Sequence, residues 1–163
     1  MTAPANIPQL IPVIVGPTAS GKSELGINLA LQRNGEIINL DSVQVYRRLY
    51  IATAKVPLPE RRGIPHLLID IVEPTENFTA GAYARLAENT IREVESRNHT
   101  AILVGGTGFY LRALIRPLFE GPPTDPELRK RFTILLERHG PEHLHRMLAR
   151  VDPQASMNLS PRD

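Results

Sequence analysis

The sequence predicts an α/β fold, a mainly parallel sheet with helices on both faces. Three observations lead there. Four short apolar runs, residues 10–15, 36–40, 66–71 and 100–104, read as strands. Helical patterns near Lys22–Arg33 and Thr79–Arg97 separate most of them. Directly after the first run comes Gly16-Pro17-Thr18-Ala19-Ser20-Gly21-Lys22-Ser23, the spacing G-x-x-x-x-G-K-[ST].

The first run, Leu10-Ile11-Pro12-Val13-Ile14-Val15, reads as a buried strand, and Leu25, Leu29 and Ala30 recur at helical spacing beyond the glycine loop. Strand, loop and helix in that order are the context a phosphate loop requires, and they make the expected fold P-loop NTPase-like. Glycines let the backbone curl so that N–H groups point inward, and the helix N-terminus adds partial positive charge. Lys22 supplies a mobile cation for a phosphate oxygen. Ser23 supplies a hydroxyl suited to Mg²⁺, a hard ion that prefers oxygen ligands. The loop itself does not say which polyphosphate it holds.

In the second helical pattern Tyr83, Leu86, Ala87, Ile91 and Val94 line one face, Thr79 is placed to cap, and Glu88 and Arg92 form an i,i+4 pair. The stretch Glu120-Gly-Pro-Pro-Thr-Asp-Pro126 changes the character of the chain. Asp125 caps a helix with Pro126 at its first position, running through Arg129 and Leu135. A further helix is expected from about Pro141 to Arg150, ending before Asp152-Pro153. The expected division is an α/β core over residues 1–119 and a helical segment from 120 to 163.

At 163 residues the chain fits a single domain with a real core, and 42% hydrophobic with 22% charged residues is ordinary for a globular protein. The net charge of +2 does not by itself argue for a nucleic-acid partner, and neither side of Thr124 carries a marked excess. With no cysteine, disulfides and thiolate metal sites are excluded. No run approaches a membrane span, and the N-terminus lacks the charged start and long apolar stretch of a signal peptide. No membrane partner and a cytoplasmic location are therefore expected.

In folds of this kind ligands sit at the carboxyl ends of the strands. After Leu40 comes Asp41-Ser42-Val43-Gln44-Val45-Tyr46. Asp41 there either binds Mg²⁺ through water, takes a proton from a nucleophile, or caps the next turn. Ser42 and Gln44 carry groups of the kind that read base edges, and Tyr46 fits the core. Lys55 either reaches a phosphate or is a solvated loop lysine. His66-Leu67-Leu68-Ile69-Asp70 resembles a Walker B strand, whose acid holds Mg²⁺ in an NTPase. Because Ile71-Val72 continue the apolar run, Asp70 is expected inside the strand with a structural role, and His66 is expected to be a satisfied structural histidine. After Val104, the glycines of Gly105-Gly106-Thr107-Gly108 point to a ligand-facing loop in which Thr107 offers a hydroxyl; a plain turn before a helix is the alternative.

Two chemistries compete on these residues. In a kinase or NTPase the loop holds ATP, with an acid such as Asp70 on the metal. In an alkyl transferase it holds a departing pyrophosphate while Asp41 activates an acceptor. Periodicity and spacing do not choose between them.

The blocks GPTASGKS (16–23), LDSVQVYRRLYIATAKV (40–56), PHLLIDIVEP (65–74), FTAGAYARLA (78–87), ILVGGTGFYLRALI (102–115) and DPELRKR (125–131) together closely resemble the tRNA dimethylallyltransferase family, the isopentenyl-pyrophosphate tRNA transferases. They run in order along nearly the whole chain. That resemblance implies transfer of a dimethylallyl group from dimethylallyl pyrophosphate to N6 of the adenosine 3′ of the tRNA anticodon. It implies that residues 16–23 cradle the donor's pyrophosphate, with Ser23 on Mg²⁺, and that Asp41 takes the proton from the exocyclic amine. It implies further that Asp41, Ser42, Val43 and Gln44 meet the target base, and that Thr107 and Arg129 touch tRNA. Arg129, Lys130, Arg131, Arg138, Arg146 and Arg150 either grip tRNA phosphates or form solvated helix faces. The related adenylate isopentenyltransferases, which alkylate free adenine nucleotides, are the nearest enzymatic alternative.

Two departures stand out. The family usually has Gly-Thr-Ala-Lys where this chain has Ala52-Thr53-Ala54-Lys55, so either the backbone at 52 does not need positive φ or the loop is slightly shifted. Family members also continue well beyond Asp163, so this chain is expected to be the N-terminal part of such an enzyme, the helical segment the beginning of its tRNA-binding part, and its own activity a separate question. A monomer is expected.

Overall fold

The structure is a computed structural model that describes residues 10–51, 53–116 and 125–162. The chain divides into two compact units, Met1–Leu118 and Phe119–Asp163. Ala52, and the stretch 120–124 at which the character of the sequence changes, lie outside the described residues.

In the first unit the strands are β1 (Val13–Val15), β2 (Gly35–Asn39), β3 (His66–Leu67) and β4 (Thr100–Gly105), and the helices are α1 (Lys22–Arg33), α2 (Ala80–Ser96) and α3 (Gly108–Ile115). The sheet has the order β1-β4-β2-β3 with every pairing parallel. Alternation along the strands divides the core in two. Ile37, Ile102 and Val104 pack with Ile27 and Ala30 of α1, and Ile14 joins them. Ile38, Leu40, Ala101 and Leu103 pack with Tyr83, Ala87, Ile91 and Val94 of α2 and with Tyr110 and Ala113 of α3. Helices on both faces explain why all of β2 is buried and why it reads as an apolar run. Each fully buried Ile or Leu there contributes about 1.5–3 kcal/mol.

Several local expectations are met and several are corrected. Thr79 caps α2 by accepting from the Ala82 amide at 3.1 Å, and Arg92 reaches Glu88 at 3.2 Å on its exposed face. Leu86, expected on the buried face of α2, is 37% exposed, and Thr90 is buried with its hydroxyl donating to the Leu86 carbonyl. Leu25 of α1 likewise faces out, while Gly26 and Ile27 face in. The first strand is not buried. Among the described residues β1 pairs only with β4 and so lies at the edge of the sheet, and Val13 and Val15 are exposed. The run 66–71 is a strand only over its first two residues, because Leu68 and Asp70 take left-handed φ of 60° and 55° and end the pairing.

In the second unit α4 (Pro126–His139), α5 (Pro141–Val151) and α6 (Pro153–Asn158) follow one another. Asp125 caps α4 by accepting from the amides of Glu127 and Leu128, and Asp152 caps α6 through the Ala155 amide. That second cap makes a helix of a stretch expected only to end α5. Among the described residues no helix is long and apolar enough to cross a membrane.

Two places fix the sheet. At the end of β4, Gly105 lies against the Leu40 backbone so closely that a Cβ would overlap its carbonyl carbon and oxygen. At the opposite end, Glu36 of β2 is buried and receives two hydrogen bonds from Arg97, at 3.0 and 2.9 Å, and one from His99 Nδ1 at 2.8 Å. Burial alone would raise the Glu36 carboxyl; the hydrogen bonds from Arg97 and His99, with their attraction, outweigh it and hold it below its ordinary value of 4.5.

Gly105→Ala is expected to cost about 3 kcal/mol or more, because backbone rather than a mobile side chain must yield; chemical denaturation of the variant with an unchanged midpoint would contradict this. A carboxyl lowered in the folded state favours folding above its unfolded value, and that contribution fades as pH falls through the folded one. The stability advantage of wild type over Glu36→Gln is therefore expected to be full near neutrality and to shrink below about pH 4.5. Melting temperatures across that range check it, and a pH-independent gap would contradict it.

Candidate functional site

The site is built where β1, β4 and β2 end side by side. Between β1 and α1 the loop 16–21 turns sharply. Ala19 and Gly21 both have left-handed φ, 64° and 79°, so successive amides curl inward and α1 begins at Lys22. A non-glycine residue in that region carries strain, as functional loops often do. Lys22 Nζ donates to the Pro17 carbonyl at 2.9 Å, which folds its cation back over the loop.

A cavity of about 260 Å³ is lined by Thr18, Ala19, Ser20, Gly21, Lys22 and Ser23 on the loop, together with Asp41, Val43, Gln44, Thr53 and Ala54. The structure thus brings Asp41, Val43 and Gln44 to the same space as the loop. Gly16 and Pro17 begin the loop outside this lining. Asp41 Oδ1 accepts from the Val43 amide at 2.8 Å and the Gln44 amide at 3.4 Å, so the carboxylate does cap the turn that follows. Its Oδ2 takes no hydrogen bond among the described residues, so one oxygen shapes the turn while the other stays available. The Ser42 amide donates to Thr107 Oγ1 at 2.9 Å, and Thr107 Oγ1 lies 3.2 Å from Ser42 Oγ. Thr107 is thereby tied to the β2 end and does not line the cavity.

Of the three glycines after Val104, Gly105 serves the close approach to Leu40, and none has positive φ. The segment leads straight into α3, which begins at Gly108. Arg129 lies exposed on α4 in the second unit, and Lys130, Arg131, Arg138, Arg146 and Arg150 are exposed as well.

Lys55 fits neither of its expected alternatives. Its side chain is only 5% exposed, and Nζ donates to the Tyr46 carbonyl at 2.6 Å and to Asp70 Oδ1 at 2.7 Å, 5.1 Å from the centre of the Tyr50 ring. Asp70 therefore lies beyond the strand, not inside it, and its role is structural. It does not line the loop's cavity. His66 is structural too: its Nδ1 donates to the Ile64 carbonyl at 2.9 Å, and burial, aided by the Arg61 charge, lowers its pKa despite that bond.

Sequence reasoning missed Asn39. The residue is buried; Nδ2 donates to the carbonyls of Asp41 and Leu68, each at 3.0 Å, and Oδ1 accepts from the Asp41 amide at 3.1 Å. Its own carbonyl accepts from the Tyr83 hydroxyl at 2.9 Å, and the Tyr83 ring stacks on Tyr110 at 4.1 Å. Burial pushes the Tyr83 hydroxyl well up, with Tyr110 adding to the effect, so it stays a neutral donor. The signal was present in the sequence: a polar residue in an apolar run must find buried partners.

An α/β sheet with a G-x-x-x-x-G-K-S loop between its first strand and first helix is a fold of the P-loop class. Within that class the chain belongs to the IPP transferase family, whose model matches residues 44–163. It is 54% identical over 150 residues to a tRNA dimethylallyltransferase of Solibacter usitatus, covering 92% of this chain and 48% of that one. To one of Streptomyces griseus it is 48% identical over 159 residues, covering 98% and 50%. The chain spans about half the length of the curated relatives it matches. Among solved structures, a eukaryotic dimethylallyltransferase acting on tRNA matches with a TM-score of 0.81 at 34% identity, covering 94% of this chain and 38% of that one. The full-length tRNA isopentenylpyrophosphate transferase of Bacillus halodurans matches with a TM-score of 0.66 at 39% identity, covering 93% and 50%.

The Lys55–Asp70 pair anchors the wall formed by Thr53 and Ala54. Lys55→Met is expected to cost about 1–3 kcal/mol, since it strands the Tyr46 carbonyl and leaves Asp70 unpaired. Thermal unfolding at neutral pH measures this, and a melting temperature equal to wild type would refute the anchoring role.

Proposed function

We propose that this chain carries the donor site and the proton acceptor of a tRNA prenyltransferase. The reaction is transfer of a dimethylallyl group from dimethylallyl pyrophosphate to N6 of the adenosine 3′ of the anticodon. One observation carries the reading: a single cavity is lined by the phosphate loop and by Asp41, whose Oδ2 takes no hydrogen bond among the described residues. The family membership and the tRNA-directed relatives agree with it.

Residues 16–23 hold the donor's pyrophosphate through inward amides and Lys22. The residues suit Mg²⁺: Ser23 and Asp41 are hard oxygen donors on one cavity. Such an ion takes few protein ligands and completes its shell with phosphate and water. Bound by Ser23, it would supply positive charge to the pyrophosphate oxygens. The target base leaves its stack to reach the cavity, which costs a few kcal/mol and less in an unpaired loop. The N6 lone pair forms the new C–N bond to the prenyl carbon as the C–O bond to pyrophosphate breaks. The amine proton passes to Asp41, and the loop's donors stabilise the departing charge.

Ser42, Val43 and Gln44 contact the base from the turn that Asp41 caps. Thr107 serves tRNA recognition from beside Ser42, and Arg129 serves it from α4. On this reading residues 1–119 are the P-loop core and residues 120–163 open the tRNA-binding part. A phosphoryl-transfer reading needs an acid on the metal, and Asp70 is engaged by Lys55 instead.

The test incubates the chain with Mg²⁺, labelled dimethylallyl pyrophosphate and an anticodon stem-loop. Label is expected in the RNA, and Asp41→Ala is expected to lower the rate about 10²–10⁴-fold. Donor binding should survive that change and weaken in Lys22→Ala. A chain that binds the donor yet transfers no label would reject transfer by these residues alone. ATP hydrolysis abolished by Asp70→Asn but not by Asp41→Asn would overturn the reading.

A further inference from the structure

We propose that Asn39 is the positioning residue for Asp41, holding the carboxylate by its main chain. The inference rests on the role of Asp41 given above. β2 ends at Asn39, so beyond it no ladder fixes residue 41. The Asn39 amide takes over. It accepts from the Asp41 N–H and donates to the Asp41 carbonyl, as the peptide of a neighbouring strand would, at 3.1 and 3.0 Å. Its second N–H reaches the Leu68 carbonyl at 3.0 Å, where the chain turns with a φ of 60°. Both donors and the acceptor are used, so only one orientation of the amide satisfies all three bonds. The side chain sits in a site that is 2% exposed, where a slack alternative would leave polar groups unpaired.

On the other side of Asp41, the Ser42 amide is held by Thr107 at 2.9 Å. Residue 41 is thus held by Asn39 of β2 on one side and, through Ser42, by Thr107 beyond β4 on the other, and the Asp41 side chain only has to close its own turn through Oδ1. Tyr83 supports the device from below through the Asn39 carbonyl, and its hydroxyl bonds that carbonyl rather than residue 41.

Hydrogen exchange separates positioning from ordinary structural support. Asn39→Ala is expected to speed exchange at the Ser42 and Val43 amides about tenfold beyond any change at Ile102 and Leu103 of β4. Asn39→Asp keeps the acceptor for the Asp41 amide but donates to neither carbonyl, and it should act the same way; it serves if the alanine variant does not fold. Tyr83→Phe should move all four amides together. If the Asn39 variants also move all four together, the positioning role is overturned.

In single-turnover transfer, the uncharged variant Asn39→Ala, or Asn39→Ser if the alanine variant does not fold, is expected to slow the chemical step about tenfold with donor affinity unchanged, as misplacement of a reacting group does. Loss of turnover and donor binding in proportion would also overturn it. A wild-type chain that transfers no label refutes the proposed activity instead, and exchange at Ser42 and Val43 still decides whether Asn39 holds Asp41.

Discussion

The whole arrangement depends on one close approach, Gly105 of β4 against the backbone of Leu40. β4 lies between β1 and β2, so the phosphate loop and Asp41 leave from strands that are not neighbours. They meet over the end of β4 only because that end carries no side chain toward Leu40. The Leu40 amide donates to the Val104 carbonyl at 2.9 Å, and the Thr107 amide donates to the Leu40 carbonyl at 3.0 Å. The β2 end is therefore clasped from both sides of Gly105, and Gly106 lies near the Gly16 carbonyl at the base of the phosphate loop. Three strand ends become one surface without any group reaching across the gap.

Much of this was legible in the sequence, for a physical reason. Parallel strands covered on both faces must be apolar throughout, and amphipathic helices must repeat near every third or fourth residue. Both patterns are local. The phosphate loop is local as well, since its backbone turns and its cation lie within one octapeptide. Asp41 could be placed at a strand end by the same reasoning, and the capping role weighed for it is what Oδ1 performs.

What could not be read is pairing at a distance. Lys55 and Asp70 are fifteen residues apart, and only the fold shows that each satisfies the other. Sequence offered a phosphate ligand or a solvated lysine for one and a strand interior for the other, because burial of a charge becomes sensible only once its partner is known. The exposure of β1 is another case: an edge strand and a central strand have the same short apolar text, and the sheet order distinguishes them. The glycines after Val104 looked like room for a ligand, yet Gly105 makes room for a backbone.

Polar residues inside β2 divide the sheet into two ends with different demands. Glu36 stands second in the strand and Asn39 ends it, both buried. At the first end a carboxylate is held by Arg97 and His99, a charged cluster whose worth varies with pH. At the second end a neutral amide does the holding, and its bonds do not titrate. The difference has chemical sense: a charge buried beneath Asp41 would disturb the proton affinity of any acid or base there. An uncharged amide fixes the geometry of residue 41 without adding a field, so the site's electrostatics are left to the phosphate loop and to what it holds.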